Sequence, residues 1–235
     1  MQKFALKKLY DKMKLMKKLF WGKWDWLILA LIGCVFILSG MLWQELPDQL
    51  PVHWNFAGEP DRYGSKFINL FALPIFSLLT LLGMSWIPRI DPFSKNYEKF
   101  AGAFMTFKAI ITLFFIYLYA VVIYASFYGD NIPGNIFFIP AFSVLFIIMG
   151  YYLPRLRRNY FIGIRTPWTL SSDESWDKSH FWAGRVFVAV GLINLLGIFI
   201  DSFYSIWLFF SILSLGIIGI VIYSYFVYKK DKNNV

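Results

Sequence analysis

The chain has 235 residues, of which 58% are hydrophobic and only 16% are charged. Soluble domains carry about 25% charged residues, so this chain has too little polar surface to stay dissolved as a globule. The formal charge of +9 could indicate a nucleic-acid partner, but the basic residues follow a membrane pattern, and no direct contact with nucleic acid is predicted.

The first 24 residues predict a basic amphipathic helix on the cytoplasmic side. Leucine, methionine and phenylalanine recur at intervals of three and four residues from Leu6 to Phe20, and lysines occupy most of the other faces. A helix of this kind lies in the membrane surface and is attracted to anionic lipid. An anionic inner leaflet is therefore the expected partner of residues 1–24, with docking of a cytoplasmic protein as the alternative.

Six apolar segments are long enough to cross a bilayer, which requires about 20 helical residues. The predicted fold class is therefore an all-α membrane protein with about six transmembrane helices. The first segment ends without a small-residue cleavage site, so it is interpreted as an uncleaved signal anchor. The predicted spans are residues 26–43, 67–87, 109–127, 136–153, 183–200 and 203–228.

The orientation follows from the lysines and arginines in the loops. Twenty of the 23 basic residues fall in the N-terminal arm, the loops at 89–99 and 155–185, and the C-terminal tail. Cytoplasmic loops carry the excess of basic residues in membrane proteins. Both termini are therefore predicted to lie in the cytoplasm of a bacterial cell, with the chain in its cytoplasmic membrane.

The predicted spans contain or adjoin a lysine, an asparagine and a cysteine. Lys108 is expected to reach back to the inner membrane surface, since long basic side chains do so near helix ends; the alternative is a buried charge at a functional site. Asn194 is expected to hydrogen-bond between helices. The single cysteine, Cys34, lies mid-span and is expected to be a buried small apolar side chain.

The outer loop at residues 50–66 predicts an ordered cap rather than a flexible connection. Val52, Trp54 and Phe56 alternate with polar or small residues, which is the period of a short strand. Residues 58–61 then supply a turn. Ser65 is well placed to cap the second span.

Histidines and carboxylates give little support to a metal site or an active site. His53, Glu59 and Asp61 match no recognised ligand spacing, and catalytic zinc requires three firm protein ligands; no metal and no cofactor are predicted. His53 is expected outside and His180 inside, so they cannot share an active site. The chain is not predicted to be an enzyme, and the remaining enzymatic alternative uses His53 and Asp61 as base and orienter.

The inner segment at residues 159–176 is the second unusual loop. Ser171 and Glu174 fit a capping box, which predicts that a helix begins there. Trp176 and His180 then fall one turn apart on the same stripe. Arg165 either clamps an anion or a carboxylate or belongs to an interfacial turn whose arginines follow charge topology.

Both loops also resemble known sequences. The run NYFIGIRTPWTLSSDESWDKSH at residues 159–180 is similar to the signature of the Sdp immunity protein family, SdpI. The run LPVHWNFAGEPDRYGSK at residues 50–66 resembles a small membrane domain of unassigned function that is commonly fused to it. The resemblance divides the chain into the arm at 1–24, an N-terminal membrane domain at 25–100, an SdpI-like domain at 101–228 and a basic tail at 229–235.

The resemblance implies a function and two sets of signature residues. It implies immunity to a secreted, membrane-active peptide toxin and, in part of the family, a receptor that sequesters a cytoplasmic repressor. A small-solute or lipid transporter is the alternative, although the sequence shows no convincing inverted repeat. The inner signature comprises Asn159, Gly163, Arg165, Thr166, Pro167, Trp168, Trp176 and His180, and the outer signature comprises His53, Trp54, Asn55, Gly58, Asp61 and Gly64.

Overall fold

A computed structural model describes residues 21–55, 60–128, 134–200 and 202–233. The predicted amphipathic helix in the N-terminal arm lies outside these residues. The helices are α1 (Lys23–Leu42), α2 (Lys66–Ile90), α3 (Ala101–Tyr128), α4 (Gly134–Tyr152), α5 (Pro167–Ser171), α6 (Asp173–Leu196) and α7 (Ser202–Asn233). Strands β1 (Gln49–Trp54) and β2 (Pro60–Ser65) form the two-stranded sheet, and short 3-10 turns follow α2, α4 and α6.

Six of the described helices are long and apolar enough to cross a membrane, which confirms the predicted all-α membrane fold. Only the five-residue α5 is too short. Every helix begins before its predicted span, most of all α3, which begins at Ala101, and α6, which begins at Asp173. The side of the membrane on which each end lies stays a prediction.

The outer cap is a β-hairpin stacked on the start of α2. β1 and β2 pair antiparallel, with Gln49 opposite Ser65 and irregular register around His53. The predicted strand is therefore confirmed. The Oγ of Ser65 accepts the N–H of Ile68 at 3.5 Å and caps α2, as the sequence predicts. Leu50 of β1 is buried with Leu70 of α2 in a small apolar cluster that anchors the hairpin.

Helix α2 contains a proline whose missing hydrogen bond is replaced from α1. Pro74 has no N–H to donate to the carbonyl of Leu70, four residues earlier. The hydroxyl of Ser39 in α1 donates to that carbonyl at 2.8 Å, and the Tyr119 hydroxyl of α3 lies 2.9 Å from Ser39 Oγ. A side chain on a neighbouring helix is the usual remedy for a proline inside a membrane helix. It also joins α1, α2 and α3 at one point.

Helices α4 and α6 pack backbone against backbone. A Cβ added to Gly150 would lie 2.7 Å from the carbonyl oxygen of Gly184, and one added to Gly191 would lie 2.8 Å from that of Ser143. Each helix thus presents two small residues seven positions apart on one face. Small residues allow the close approach on which membrane helix packing depends.

Asn194 makes the interhelical hydrogen bonds predicted for it. Its side-chain amide donates to the Ile139 carbonyl at 3.2 Å and to Ser143 Oγ at 2.9 Å, joining α6 to α4. This central polar residue therefore has a packing role.

The prediction for Lys108 is wrong. The residue is 1% exposed, and its Nζ lies 2.7 Å from Oδ1 of Asp25, which is 2% exposed. Lys108 also contacts Ser85 of α2 at 3.3 Å. Because α3 begins at Ala101, Lys108 lies two turns inside the helix and faces the bundle, where α1 brings a carboxylate to it.

The prediction for Cys34 is also wrong, since its side chain is exposed. Helix α1 buries Ile28, Ile32, Val35 and Ser39, and this stripe does not include Cys34. Residues 26–38 of α1 are all apolar or glycine, so their sequence does not indicate which of them face the neighbouring helices.

The main core lies at the end of the bundle where α2 ends and α6 begins. Tyr97, Phe104, Leu156 and Trp176 are fully buried there, together with Met84 of α2. Residues of both predicted membrane domains share this core. It forms the floor beneath the inner signature loop.

Candidate functional site

The inner signature loop is folded by a buried asparagine. Oδ1 of Asn159 accepts the N–H groups of Phe161 at 2.9 Å and Ile162 at 2.7 Å. Its amide donates to the carbonyls of Arg157 at 2.9 Å and Ile162 at 3.0 Å. Asparagine side chains form such local turns readily. All four bonds turn the chain back on itself immediately before Gly163.

Gly163 occupies a position that other residues tolerate poorly. Its φ of +107° lies in the left-handed region, which only glycine adopts without strain. A Cβ at this position would also collide with Nε2 of His180. Backbone conformation and close approach therefore both require glycine.

His180 is buried and fixes the loop by hydrogen bonds. Its Nε2 accepts the N–H of Ile164 at 3.0 Å, and its Nδ1 lies 2.8 Å from the Trp176 carbonyl. A carbonyl only accepts and an amide N–H only donates, so this arrangement requires the neutral imidazole with its proton on Nδ1. The Trp176 ring stacks on the imidazole at 4.0 Å, and its Nε1 donates to the Leu156 carbonyl at 3.0 Å.

The next part of the signature attaches the loop to α7. Thr166 caps α5 by accepting the N–H of Thr169 at 3.1 Å, and Pro167 occupies the first helical position, where proline is favoured. Thr166 Oγ1 lies 3.3 Å from Ser224 Oγ of α7. The Trp168 ring contacts Tyr225 of α7 edge-on at 5.3 Å.

The predicted start of the following helix is displaced by one residue. Ser172, not Ser171, caps α6, and its Oγ accepts the N–H of Ser175 at 3.0 Å. Ser171 is instead the last residue of α5. The Ser172 hydroxyl also donates to Asp231 of α7 at 2.6 Å, a distant partner that local spacing does not reveal.

Arg165 is exposed and closes the loop from outside. Its guanidinium donates to the main-chain carbonyl of Tyr160 at 2.7 Å rather than to a carboxylate. This geometry favours the interfacial-turn interpretation of Arg165.

Asp91 is a site residue that no sequence pattern predicts. Asp91 is the C-cap residue of α2, and its backbone N–H donates to the Ile87 carbonyl. Its buried carboxylate accepts the Phe93 N–H at 2.7 Å, the Tyr97 hydroxyl at 2.8 Å and the Tyr160 N–H at 2.9 Å. The Phe93 ring also stacks on Tyr160 at 5.2 Å. The end of α2 therefore holds the signature loop directly. The one sequence feature that indicates Asp91 is its negative charge in the loop at 89–99, which is otherwise predicted to be a basic cytoplasmic loop.

Tyr97 serves this carboxylate as a neutral donor. Burial raises the pKa of its hydroxyl, and the hydrogen bond to Asp91 and the charge of Asp91 raise it further. The hydroxyl therefore keeps its proton and stays bonded to Asp91 at any physiological pH.

The outer signature contains an exposed histidine–carboxylate pair. Nδ1 of His53 lies 2.6 Å from Oδ1 of Asp61 across the hairpin, with the side chains 53% and 42% exposed. Trp54 packs on Phe138 of α4 at 5.6 Å. A Cβ at Gly64 would lie 2.7 Å from Val52. Asn55 directly follows β1. Gly58 lies outside the described residues.

A metal site gains no support from the hairpin. Within the described ranges, no three histidine, cysteine or acidic side chains converge as metal ligands would. Glu59, the third candidate ligand, lies outside the described residues.

The two signatures lie at opposite ends of α2. The hairpin joins its first residue and Asp91 its last, and a helix of 25 residues is about 37 Å long. The two histidines are therefore separated by the length of a membrane span. No common active site is available to them.

Comparisons with known proteins bear on both loops. Residues 155–226 match the SdpI/YfhL protein family. All eight inner signature residues fall within this SdpI/YfhL match, and the predicted resemblance is confirmed. Residues 30–78 match a domain of unknown function, DUF1648, which contains the whole outer signature. The predicted domain limits at 100 and 228 stay predictions.

One curated relative is similar over almost its whole length. Immunity protein SdpI from Bacillus subtilis (strain 168) is 27% identical over 205 residues, which is 87% of this chain and 96% of that protein. No solved structure matches. The SdpI similarity and the six apolar helices support a multi-pass protein of the cell membrane, and the similarity to an immunity protein favours a non-enzymatic role.

Proposed function

We propose that the chain is a membrane immunity protein that gives a bacterium resistance to a secreted antimicrobial peptide toxin. The supporting observation is the similarity to a protein named as an immunity protein, which extends over 96% of that protein. The similarity includes both signature loops as well as the apolar spans, so it is not merely a likeness of membrane composition.

The proposed topology places the hairpin outside and the inner signature loop in the cytoplasm, with both termini cytoplasmic. The basic loops support it. The hairpin then faces an arriving toxin with its exposed His53–Asp61 pair. Cysteine labelling by a membrane-impermeant maleimide tests the orientation, with Cys34→Ser as the background. A cysteine introduced at exposed Arg62 should react in intact cells, and one at exposed Arg165 should react only after lysis; the reverse result rejects the topology.

Immunity itself is tested by loss and gain of protection. Deletion of the gene should sensitise its host to peptide toxins of neighbouring bacteria, and expression in a toxin-sensitive strain should protect that strain. Gly163→Val, with membrane levels verified by immunoblot, tests whether protection needs the folded inner loop. The proposal fails if neither deletion nor expression changes sensitivity to any related toxin.

The enzymatic alternative makes a different prediction about His53. His53→Gln retains a polar side chain but removes the base. Full protection by this variant is expected for an immunity protein. Complete loss of protection at normal membrane levels would support chemistry at the His53–Asp61 pair.

The transporter alternative is weakened by the place of Asn194, whose amide is hydrogen-bonded to α4. Asn194→Leu should therefore lower stability. Flux of solute or lipid in proteoliposomes that disappears in this variant, at unchanged stability, would restore the transporter hypothesis.

A second candidate function, signalling to a cytoplasmic repressor, is favoured by the bonds of Asp91. This carboxylate connects the end of α2 to Tyr160, so a shift of α2 at the toxin-facing end reaches the inner loop. We infer that the inner loop is the repressor contact. A fluorescent fusion of a repressor encoded beside the gene should move to the membrane on toxin addition. Arg165→Glu should abolish this movement while protection persists, and unchanged recruitment would argue against the inference.

A further inference from the structure

A groove on the signature-loop side lies apart from both signatures. It has a volume of about 620 Å³ and runs between the first turn of α3 and the end of α4. This size lies within the range of ligand-binding pockets, about 300–1,000 Å³. Among the residues that the structure describes, Lys99, Arg155, Arg157 and one acidic residue, Glu98, line it.

Arg155 is held in position at the groove. Its guanidinium donates to the Tyr151 carbonyl at 2.7 Å and lies 4.0 Å from the centre of the Tyr151 ring and 5.0 Å from that of Tyr152. Cation–π contacts of this kind hold a guanidinium without neutralising it. The charge of Arg155 is therefore available to a ligand.

The other charged residues of the groove differ in how they affect the binding of an anion. Arg157 is engaged by Asp177 through two bonds of 2.8 and 2.9 Å, so its charge is largely compensated. Lys99 is exposed and adds a second cation, while Glu98 opposes an anion. The first N–H groups of α3 have no partner within the helix and carry partial positive charge, which adds to the attraction.

The walls of the groove combine charged and apolar residues, with the charged residues farther from the centre of the spans. Lys99 and Arg155 lie just outside the apolar part of the spans, on the 3-10 turns before α3 and after α4. Ala101, Tyr152 and Pro154, which are partly exposed, supply apolar surface beside them. A soluble anion would use only the cations, whereas a phospholipid would place its phosphate on them and its glycerol and upper acyl chains on the apolar wall.

We propose that this groove binds the headgroup of an anionic phospholipid. Basic pockets between transmembrane helices bind lipid headgroups in other membrane proteins. The proposal is independent of the toxin and of the signature loops.

The test uses the purified full chain in detergent with short-chain phosphatidylglycerol or phosphatidylcholine, and native mass spectrometry reports the bound lipid. Phosphatidylglycerol should bind more tightly than phosphatidylcholine. Arg155→Gln and Lys99→Gln should each weaken phosphatidylglycerol binding about fivefold and leave phosphatidylcholine binding unchanged. Glu98→Gln should strengthen phosphatidylglycerol binding, a gain that misfolding cannot produce.

Arg185→Gln is the matched control. Arg185 also donates to the carbonyl four residues before it and lies over two rings, Phe181 and Trp182, but it does not line the groove. Phosphatidylglycerol binding should be unchanged in this variant. Equal binding of the two lipids, equal loss in Arg185→Gln and Arg155→Gln, or displacement of the lipid by equimolar glycerol phosphate would overturn the proposal.

Discussion

Replacing Lys108 by methionine removes one half of the buried ion pair between α3 and α1. Both side chains are almost fully buried, and Nζ and Oδ1 of Asp25 lie 2.7 Å apart. The variant leaves the buried Asp25 side chain without its cation, and breaking a buried pair in this way costs about 3–5 kcal/mol. We expect the free energy of unfolding to fall by that amount.

A double variant separates the loss of the pair from the loss of a side chain. Asp25→Asn combined with Lys108→Met removes both charges at nearly constant volume, and such replacements of buried pairs are often close to neutral. The double variant should therefore be more stable than Lys108→Met alone. Lys66→Met is the matched control, because its partner Asp48 is 88% exposed and an exposed pair contributes about 0–1 kcal/mol.

Reversible unfolding in mixed micelles, followed by far-ultraviolet circular dichroism, measures all three variants. A stabilising role of the buried pair is excluded if Lys108→Met lies within about 1 kcal/mol of the unsubstituted chain, the range expected of an exposed pair. The same conclusion follows if the double variant is as unstable as the single one.

Further variants test the inner loop and the helix packing, by the free energy of unfolding for the glycine variants and by hydrogen exchange for the Asp91 variants. Gly163→Ala should cost about 1–3 kcal/mol for the backbone conformation alone, plus the collision with His180, and a stability equal to that of the native chain would contradict the described loop. Asp91→Ala should release Tyr160 and increase amide hydrogen exchange of the inner loop. Asp91→Asn retains an acceptor oxygen and should increase this exchange less. Identical exchange in both variants would argue against the role of the carboxylate. Gly184→Leu should force α4 and α6 apart and lower stability more than Gly102→Leu, where a Cβ meets no atom within 4 Å.

Local patterns were sufficient for much of the fold. Apolar length predicted the six spans, the period of two predicted the strand containing Trp54, and the Ser65 cap and the Asn194 bonds were predicted correctly. Each of these depends on residues close in sequence or on a single polar group in an apolar helix. The one-residue error at Ser172 arose because Ser171 and Glu174 fit a capping box, while the contact of Ser172 with the distant Asp231 is not visible in the local sequence.

The errors depended on residues distant in sequence. Lys108 interrupted the apolar run, so the predicted third span began after it, although the helix begins at Ala101. Its partner Asp25 lies 83 positions earlier, and no local pattern joins the two. Asp91 was missed because its partner in the signature loop, Tyr160, lies 69 positions later. The resemblance supplied the inner signature, but the roles of Asn159 and His180 followed only from their hydrogen bonds.

The polar contacts of α1 prevent its replacement by another apolar helix. Near one end Asp25 meets Lys108, and 14 residues later Ser39 serves the carbonyl left open by Pro74, about 21 Å along the axis. Two such points set both the depth and the rotation of the helix. A generic signal anchor of equal hydrophobicity would insert equally well yet leave an unmatched lysine and an unmatched carbonyl inside the bundle. Domain-swap chimaeras should therefore keep α1 together with α2 and α3 as one unit.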